Sequence, residues 1–420
     1  MRMSKKKEIV PKLRFPEFIG DKLKITKLGK ISSVVKEKAG ENKYTLMSVT
    51  SGVGLIPQTE KFGREIAGDS YKNYIVIRKY DFAYNKSATK QFPEGYISML
   101  GEYDIAAVPN SIFTCFRITG NESYPPFFDY LWHNNYHGHW LRKYIEVGAR
   151  AHGALSVDTK HLWSMPLALP DFKEQQKIAD CLSSIDELID AESRKLKALE
   201  KYKKGLMQKL FPAEGKTLPE WRFPEFQGCG EWKYEEIGEI GEVITGKTPS
   251  TSDTALWDGN IQFVTPTDIT ENKYQHHTQR TVVKTPKMKV LPKHTIMFTC
   301  IASIGKMALS LYPCITNQQI NSIVPKSCYN NEFVYYSLLQ KTFLIKAGFA
   351  NSTLPIINKT DFSKIQVPVI LDKKEQQRIS DCLSEIDIMI TGQSNKVEQL
   401  KAHKKGLMQG LFPSLEEADV

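Results

Sequence analysis

Residues 241–248 match the phosphate-binding loop pattern GxxxxGK[ST] and end in Gly246, Lys247 and Thr248. In nucleotide-binding proteins such a loop follows a buried strand and opens a helix, so that backbone N–H groups point at phosphates. Here polar residues precede the loop, and Pro249 and Ser250 follow it, which is typical of a turn. The sequence therefore favours a basic, hydroxyl-rich loop that contacts a nucleic-acid backbone, and a nucleotide site stays open as the alternative.

Other motifs that resemble catalytic or metal sites are incomplete. His133, His137 and His139 could hold zinc only if a fourth ligand converged on them. The glycines of residues 225–230 resemble an S-adenosylmethionine loop, but no buried strand precedes them. Residues 124–127 read Tyr-Pro-Pro-Phe, whereas adenine methyltransferases carry Asn, Asp or Ser in the first place. We therefore predict no catalytic residue, no metal and no cofactor in this chain.

Polar and basic stretches interrupt the apolar runs at several places, and their side chains suit contact with DNA. Lys and Arg neutralise phosphates, while Asn, Gln and Arg make paired hydrogen bonds to base edges. For any single residue, an ordinary solvated loop is about as good an explanation. The candidate DNA-binding residues are Lys86, Lys90, Arg150, His152, Lys247, Thr248, Ser250, Asn317, Gln318, Asn351 and Lys359.

The composition of the 420 residues excludes several classes of protein. Hydrophobic residues make up 41% and charged residues 25%, so the chain is neither disordered nor fibrous. No apolar run approaches the roughly 18–20 residues that cross a bilayer, so we expect no membrane association. The seven cysteines include no CxxC pair, which predicts reduced thiols in a cytoplasmic protein. A net charge of +10 is compatible with nucleic acid.

The chain contains an internal duplication. The pentapeptide RFPEF at residues 14–18 recurs at 222–226, and residues 173–213 match 374–414 at 24 of 41 positions. The stretches between these repeated ends show no such match. We therefore expect the repeated segments to perform the same function in both copies, and the unmatched stretches between them to perform two different functions. A weaker explanation is that the ends match only because they must fold into the same shape, while the middle stretches diverged. It is weaker because exposed polar residues of the ends match as well as the apolar ones.

Each repeated C-terminal segment is predicted to be a long helix with a coiled-coil seam, since its apolar residues alternate at intervals of four and three. Glu192 and Gln393 interrupt the two seams at equivalent places, as do Lys203 and Lys404. The nearest partner for each seam is the other copy, in antiparallel orientation. The seam residues are Ile178, Leu182, Ile185, Ile189, Leu196, Leu199, Leu206 and Leu210, with Ile379, Leu383, Ile386, Ile390, Val397, Leu400, Leu407 and Leu411.

The fold class that follows is α/β: two mixed α/β domains and two long helices in an antiparallel coiled coil, with pseudo-twofold duplication. Strands are expected near 74–77, 111–118, 295–300 and 320–324, and helices near 127–145 and 332–346. The predicted divisions are a first domain at 1–172, a first helix at 173–213, a second domain at 214–373, a second helix at 374–413 and an acidic tail at 414–420.

The repeated RFPEF openings, the EQQ(K/R)I…KKGLMQ.LFP helices and the unlike middles resemble the specificity subunit of type I restriction–modification systems. Residues 246–250, 264–269 and 357–362 resemble that family's target-recognition-domain boundaries. The first domain departs from this pattern at residues 36–40, so its DNA contacts do not carry over from the second.

This resemblance implies a non-catalytic DNA reader. Its two target-recognition domains would each bind one half of a split sequence in double-stranded DNA, and its helices would set the gap between the halves. Two methyltransferase subunits with S-adenosylmethionine would dock on the repeated ends, and ATP-dependent restriction and motor subunits would join them. An enzyme that binds a nucleotide or S-adenosylmethionine through residues 241–248 is the alternative, and an adaptor without nucleic acid is a third possibility.

Overall fold

In a computed structural model the chain is described over residues 10–145, 158–286, 288–301, 304–348 and 356–413. These residues form two compact units. The first unit contains Met1–Ala191 with Val397–Val420, and the second contains Glu192–Lys396. Each unit therefore takes part of both long helices, whereas the boundaries expected from the sequence lie at the helix ends.

The first unit is built on short, mostly antiparallel strands. Its largest sheet has the order β2-β9-β6-β7, and three two-stranded sheets pair β1 with β10, β3 with β4, and β5 with β8. The strands are β1 (Lys24–Lys27), β2 (Ser32–Val34), β3 (Met47–Thr50), β4 (Gly54–Pro57), β5 (Ile75–Arg78), β6 (Asp81–Asn85), β7 (Tyr96–Met99), β8 (Ile105–Val108), β9 (Phe113–Ile118) and β10 (Pro166–Leu169).

Among the described residues of the first unit, five short α-helices precede the long one. They are α1 (Leu28–Ile31), α2 (Gln58–Phe62), α3 (Pro125–His133), α4 (Tyr136–Leu141) and α5 (Thr159–Trp163). The helix expected near 127–145 is interrupted at Asn135, whose φ of 56° is left-handed. Asparagine tolerates this conformation better than most residues, so the chain turns there and restarts as α4.

The second unit has a different sheet arrangement. A five-stranded sheet has the order β12-β19-β16-β17-β14, a three-stranded sheet has the order β15-β13-β18, and β11 pairs with β20. The strands are β11 (Lys233–Glu236), β12 (Gly241–Thr245), β13 (Trp257–Val264), β14 (Tyr274–Gln275), β15 (Arg280–Val282), β16 (Ile296–Thr299), β17 (Met307–Ser310), β18 (Cys314–Thr316), β19 (Ile320–Pro325) and β20 (Gln366–Val369). Its shorter helices are α7 (Ile237–Ile240), α8 (Asn331–Gly348) and α9 (Lys359–Ser363).

The long helices are α6 (Phe172–Leu210) and α10 (Lys373–Leu411). Both begin next to an aspartate, since the side chain of Asp171 accepts a hydrogen bond from the Glu174 N–H (2.7 Å) and Asp372 accepts one from Glu375 (3.1 Å). Both end just before a Phe-Pro pair, because proline cannot continue a helix. Every apolar residue of the predicted seam is buried or half-buried. Within the described residues, no helix is long and apolar enough to cross a membrane.

The two helices run antiparallel where they meet. In the second unit Glu192 contacts Gln393 and Lys203 contacts Asp387, so residue numbers rise along one helix as they fall along the other. The polar interruptions of the seam therefore make specific contacts across the helix pair. The predicted mixed α/β fold with two antiparallel helices is confirmed.

Each unit closes its core with the end of the helix that starts in the other half of the sequence. In the second unit Phe211 packs between Trp232 and Phe333, with ring centroids 5.6 and 5.7 Å away. In the first unit the ring of Phe412 lies 5.3 Å from that of Phe127. These contacts explain why the compact units divide both helices.

Candidate nucleic-acid interface

The repeated openings are attached to the repeated helices by the same buried ion pair in both units. The guanidinium of Arg14 donates two hydrogen bonds to the carboxylate of Glu174, at 2.8 and 2.7 Å. Arg222 makes the equivalent pair with Glu375, both bonds being 2.7 Å. Each arginine also donates to a backbone carbonyl seven residues along the chain. The Arg of RFPEF and the Glu of EQQ therefore form one structural contact that occurs twice.

A repeated glutamine attaches each helix to its own variable domain. The side-chain amide of Gln175 donates to the carbonyl of Pro170 (2.9 Å), and its oxygen accepts from the Tyr124 N–H (2.9 Å). Gln376 makes the same contacts with Ile370 and Asn330, each at 2.7 Å. The N–H groups that donate to these two glutamines belong to the residues directly before α3 and α8. The helix start is thus held in the same way in two unlike domains.

A Tyr-Asp-Lys contact also occurs in both units and includes both long helices. In the first unit Asp186 of α6 accepts from Tyr130 of α3 (2.9 Å) and from Lys404 of α10 (2.6 Å). In the second unit Asp387 accepts from Tyr336 and from Lys203, both at 2.5 Å. Burial and the neighbouring aspartate raise the pKa of both tyrosines above the ordinary value, so both remain hydroxyl donors.

In the first domain the structure describes two of the four candidate DNA contacts, Lys86 and Lys90. Lys90 is exposed in the loop after β6, and Lys86 is half-buried beside that strand. Tyr84, in the same stretch, is buried and donates its hydroxyl hydrogen to the carbonyl of Glu94 (2.8 Å). Arg150 and His152 lie outside the described residues, as does Asn351 of the second domain.

In the second domain five candidates come together although the sequence separates them by about seventy residues. The Thr248 hydroxyl donates to the side-chain oxygen of Gln318 (2.6 Å), and the Lys247 N–H donates to the carbonyl of Thr316 (2.8 Å). Lys247, Ser250 and Gln318 are exposed, whereas Asn317 is buried. We call Lys247, Thr248, Ser250, Asn317 and Gln318 the basic loop cluster. Its exposed ammonium, hydroxyl and amide groups are those that bind phosphates and base edges.

Lys359 is not part of the basic loop cluster in sequence or in its hydrogen bonds. It is the first residue of α9 and is exposed, and Asn358 before it caps the helix by accepting from the Asp361 N–H (2.9 Å). Helix α9 lies against β12, the strand that leads into the cluster. Lys359 therefore remains a candidate on structural grounds that are weaker than those for Lys247.

The glycine loop at 241–248 does not have the geometry of a phosphate loop. The N–H groups of Gly246 and Lys247 already donate to the carbonyls of Ile320 (3.1 Å) and Thr316 (2.8 Å). A Cβ at Gly246 would lie 2.2 Å from two backbone oxygens, and one at Gly241 would lie 2.5 Å from the carbonyl of Val324. Both glycines thus permit close strand pairing. The nucleotide-binding alternative is not favoured, although a cavity of about 700 Å³ adjoins the loop.

Gly246→Ala provides a test of this structural role. The added Cβ must displace the backbone at residues 316–317, so we expect a loss of roughly 1–3 kcal/mol in the free energy of unfolding of the second unit. Urea denaturation of the full chain measures it. Gly205→Ala, in α6 where a Cβ meets no atom within 4 Å, is the control and should not destabilise the chain. An unchanged Gly246→Ala protein would contradict the strand-pairing role.

Of the three histidines His133, His137 and His139, the buried His137 has a structural role. His137 is fully buried, and its Nε2–H donates to the carbonyl of Gly95 (3.3 Å). Burial lowers the pKa of His137 to about 4, so this ring is neutral near pH 7. Within the described residues, no group of three His, Cys, Asp or Glu side chains has the geometry of a metal site.

One conspicuous pair beside the basic loop cluster carries no signal in the sequence. The guanidinium carbon of Arg280 lies 3.4 Å from the centroid of a Trp257 ring, a distance typical of face-to-face stacking. The Trp257 Nε1–H donates to the carbonyl of Ser250 (3.0 Å), which attaches the pair to the cluster. Arg280 lies 23 positions after Trp257, and no periodicity relates the two residues. Sequence reasoning had no means of finding this contact.

Comparison with known proteins gives consistent matches. The family model for the type I restriction modification DNA specificity domain matches residues 73–201 and 230–402. The MjaIX specificity subunit of Methanocaldococcus jannaschii is 30% identical over 194 residues, which are 44% of this chain and 45% of that protein. The HindI specificity subunit of Haemophilus influenzae is 30% identical over 146 residues, 32% of this chain and 31% of that protein. The matched regions thus span less than half the length of these two relatives.

A solved structure agrees over nearly the whole chain. The type I restriction-modification system S subunit from M. genitalium has a TM-score of 0.59 and is 15% identical, covering 97% of this chain and 100% of that one. At this identity the likeness shows the fold alone. The family model, which covers well over half of the chain and part of each repeated helix, carries the assignment. On that evidence the chain belongs to the family of type I restriction modification DNA specificity domains.

Proposed function

We propose that this chain is the DNA sequence-specificity subunit of a type I restriction–modification complex, and that each mixed α/β domain binds one half of a split DNA target. The observation that carries the proposal is the contrast between the two units. The Arg-Glu, Gln and Tyr-Asp-Lys contacts are the same in both, while one domain is built on a four-stranded sheet and the other on a five-stranded sheet. The same contacts thus attach two different domains to the long helices, as expected if the two domains recognise different DNA sequences.

Contact with DNA is supported by the charge and chemistry of the second domain. Lys247 is exposed beside the hydroxyl of Thr248 and the amide of Gln318, and the whole chain carries a net charge of +10. Binding through phosphates releases counterions, so the affinity for double-stranded DNA should fall steeply as salt increases. The same surface offers side chains that suit base edges.

Docking of partner subunits is supported by identical exposed residues that have no partner among the described residues. Lys204 and Gln208 of α6 lie one helical turn apart, and Lys405 and Gln409 of α10 repeat them. We propose that two methyltransferase subunits bind these ends, that they supply S-adenosylmethionine, and that restriction and motor subunits bring the ATP-dependent step. The chain itself is then non-catalytic. A cytoplasmic location fits its seven free cysteines.

Exchange of one domain tests this function. Residues 40–160 are replaced by the matching segment of another family member that keeps a tyrosine at the position of Tyr130. Because each domain reads its own half, we expect one half of the selected DNA sequence to change and the other to stay. Selection from a pool of randomised duplexes, followed by sequencing, measures both halves, and unexchanged protein is the control.

Two outcomes would count against the proposal. A change in both halves, or selection of one continuous sequence, would contradict independent readers. Absence of binding to the pool at about 50 mM salt, where phosphate contacts are strong, would instead favour an adaptor that does not use nucleic acid.

A further inference from the structure

The guanidinium of Arg280 has unused hydrogen-bonding capacity at a fixed position. Arg280 is exposed, and its side chain makes no hydrogen bond or ion pair with any residue that the structure describes. Two other exposed arginines are paired, Arg78 with Glu37 and Arg378 with Glu225. Arg64 and Arg194 are exposed without such a partner among the described residues, but neither is stacked on an aromatic ring there. A guanidinium carries five N–H donors in its plane, and stacking on a ring leaves the edge of that plane free.

The aromatic platform beneath Arg280 is itself rigid. Trp257 is buried, meets the ring of Phe263 edge-on at 5.2 Å, and is hydrogen-bonded to Ser250. It lies at a bulge, since both Trp257 and Ile261 face Val282 of β15. Asp258, within the bulge, has a φ of 58°, a left-handed conformation that a non-glycine residue adopts at some energetic cost. Bulges of this kind direct a side chain out of the regular strand pattern.

This geometry favours a base contact over a phosphate contact, although a guanidinium can make paired hydrogen bonds with either. A phosphate can be neutralised by a mobile ammonium, and Lys247 provides an exposed ammonium group in the same domain. A guanidinium that is held in one orientation presents two parallel N–H donors, which suits a partner with two adjacent acceptors. Among base edges in the major groove, guanine presents two acceptors, O6 and N7, that match an arginine fork.

We propose that Arg280, held by Trp257, reads one guanine of the half-site bound by the second domain through paired hydrogen bonds to O6 and N7. The inference rests on the proposed function and adds a residue and a base to it. Arg280 is the base-contacting residue, and Trp257 is a positioning residue.

The test uses the full chain and a pool of randomised double-stranded DNA. Wild type should select a split sequence with a guanine in the half that the second domain reads. Arg280→Ala should lose the preference for that one guanine by roughly 10- to 100-fold and keep every other position. Arg280→Lys keeps the charge without the fork and should lose the same preference. Lys284→Ala removes one exposed charge from the same segment and should keep the whole sequence.

A modified duplex gives an independent readout. Replacing the selected guanine by 7-deazaguanine removes N7, so wild type should lose affinity for this duplex while Arg280→Ala binds it and the unmodified duplex equally. If Arg280→Ala selects the wild-type sequence unchanged, or weakens binding to all sequences alike, the guanine contact is overturned and the domain-level function stands. If wild type selects no sequence at all, both the contact and the proposed function fail.

Discussion

Phe211→Ala should destabilise the second unit by about 3–5 kcal/mol, the loss typical of a large aromatic side chain removed from a close-packed core. Phe211 is fully buried and packs against Trp232 and Phe333, although it is the residue that follows α6. Hydrogen exchange measured peptide by peptide should show faster exchange in β16 and β19 of that unit. Urea denaturation measures the change in the free energy of unfolding.

The repeat supplies matched controls for this prediction. Phe412→Ala removes the equivalent ring and should loosen the first unit instead, because Phe412 packs on Phe127. Tyr202→Ala, in α6 shortly before Phe211 but 59% exposed, should change the free energy of unfolding by less than about 0.5 kcal/mol. If both phenylalanine variants loosened the same unit, the assignment of the helix ends to opposite units would be wrong.

The long helices follow from the sequence because a period of about 3.5 residues is a local property. Their antiparallel pairing follows from the duplication, because a pseudo-twofold that relates the two copies places equivalent helices antiparallel. Leu182 and Leu383 recur at regular intervals that need no knowledge of the rest of the fold. The partners of the polar seam residues do not follow in the same way. Lys203 pairs with Asp387 and not with its own repeat equivalent, since the register of two helices depends on side-chain fit along their length.

The candidate interface was predictable in part. Lys247, Thr248 and Gln318 stand out as polar residues in loops, and their proximity results from the pairing of β12 with β19. That pairing joins segments about seventy residues apart, and strand partners over such distances are not encoded by local pattern. The same limit hides the stack of Arg280 on Trp257. Residues that act through long-range contacts need the structure to bring them together.

The structure also changes the interpretation of the repeated polar residues. Identical exposed positions first suggested a partner for the whole of each repeat, but many have internal roles. Glu17 pairs with Lys177, and Glu225 pairs with Arg378. These identities reflect shared folding, which was the weaker explanation at the level of sequence. The repeated Lys and Gln near the end of each long helix, and Lys173 and Lys374 near its start, are exposed and have no side-chain partner among the described residues, so they are available to a partner subunit.

Glu375→Ala tests the strongest of these internal contacts and should cost about 3–5 kcal/mol in the free energy of unfolding. Glu375 is fully buried and the Arg222 side chain is only 9% exposed, so removing the carboxylate leaves a largely buried guanidinium unpaired. In the wild type, the hydrogen bonds that Arg222 donates to Glu375 raise the pKa of Arg222. Without them the guanidinium still keeps its proton, as guanidinium groups in proteins do, so the arginine cannot escape the penalty by becoming neutral. Urea denaturation of the full chain measures the loss, and Glu174→Ala should reproduce it in the first unit.

A double replacement separates two quantities: the energetic cost of leaving one buried charge unpaired, and the net contribution of the ion pair to the free energy of unfolding. When Arg222→Met is combined with Glu375→Leu, no buried charge remains, and apolar side chains of similar size fill the space. We expect this variant to recover most of the stability that Glu375→Ala loses, because the desolvation of two ions nearly cancels their attraction. If the double variant were as unstable as Glu375→Ala, the pair would be stabilising in its own right. The carbonyls of Cys229 and Gly230, which accept from Arg222, would then be the contacts that the methionine cannot replace.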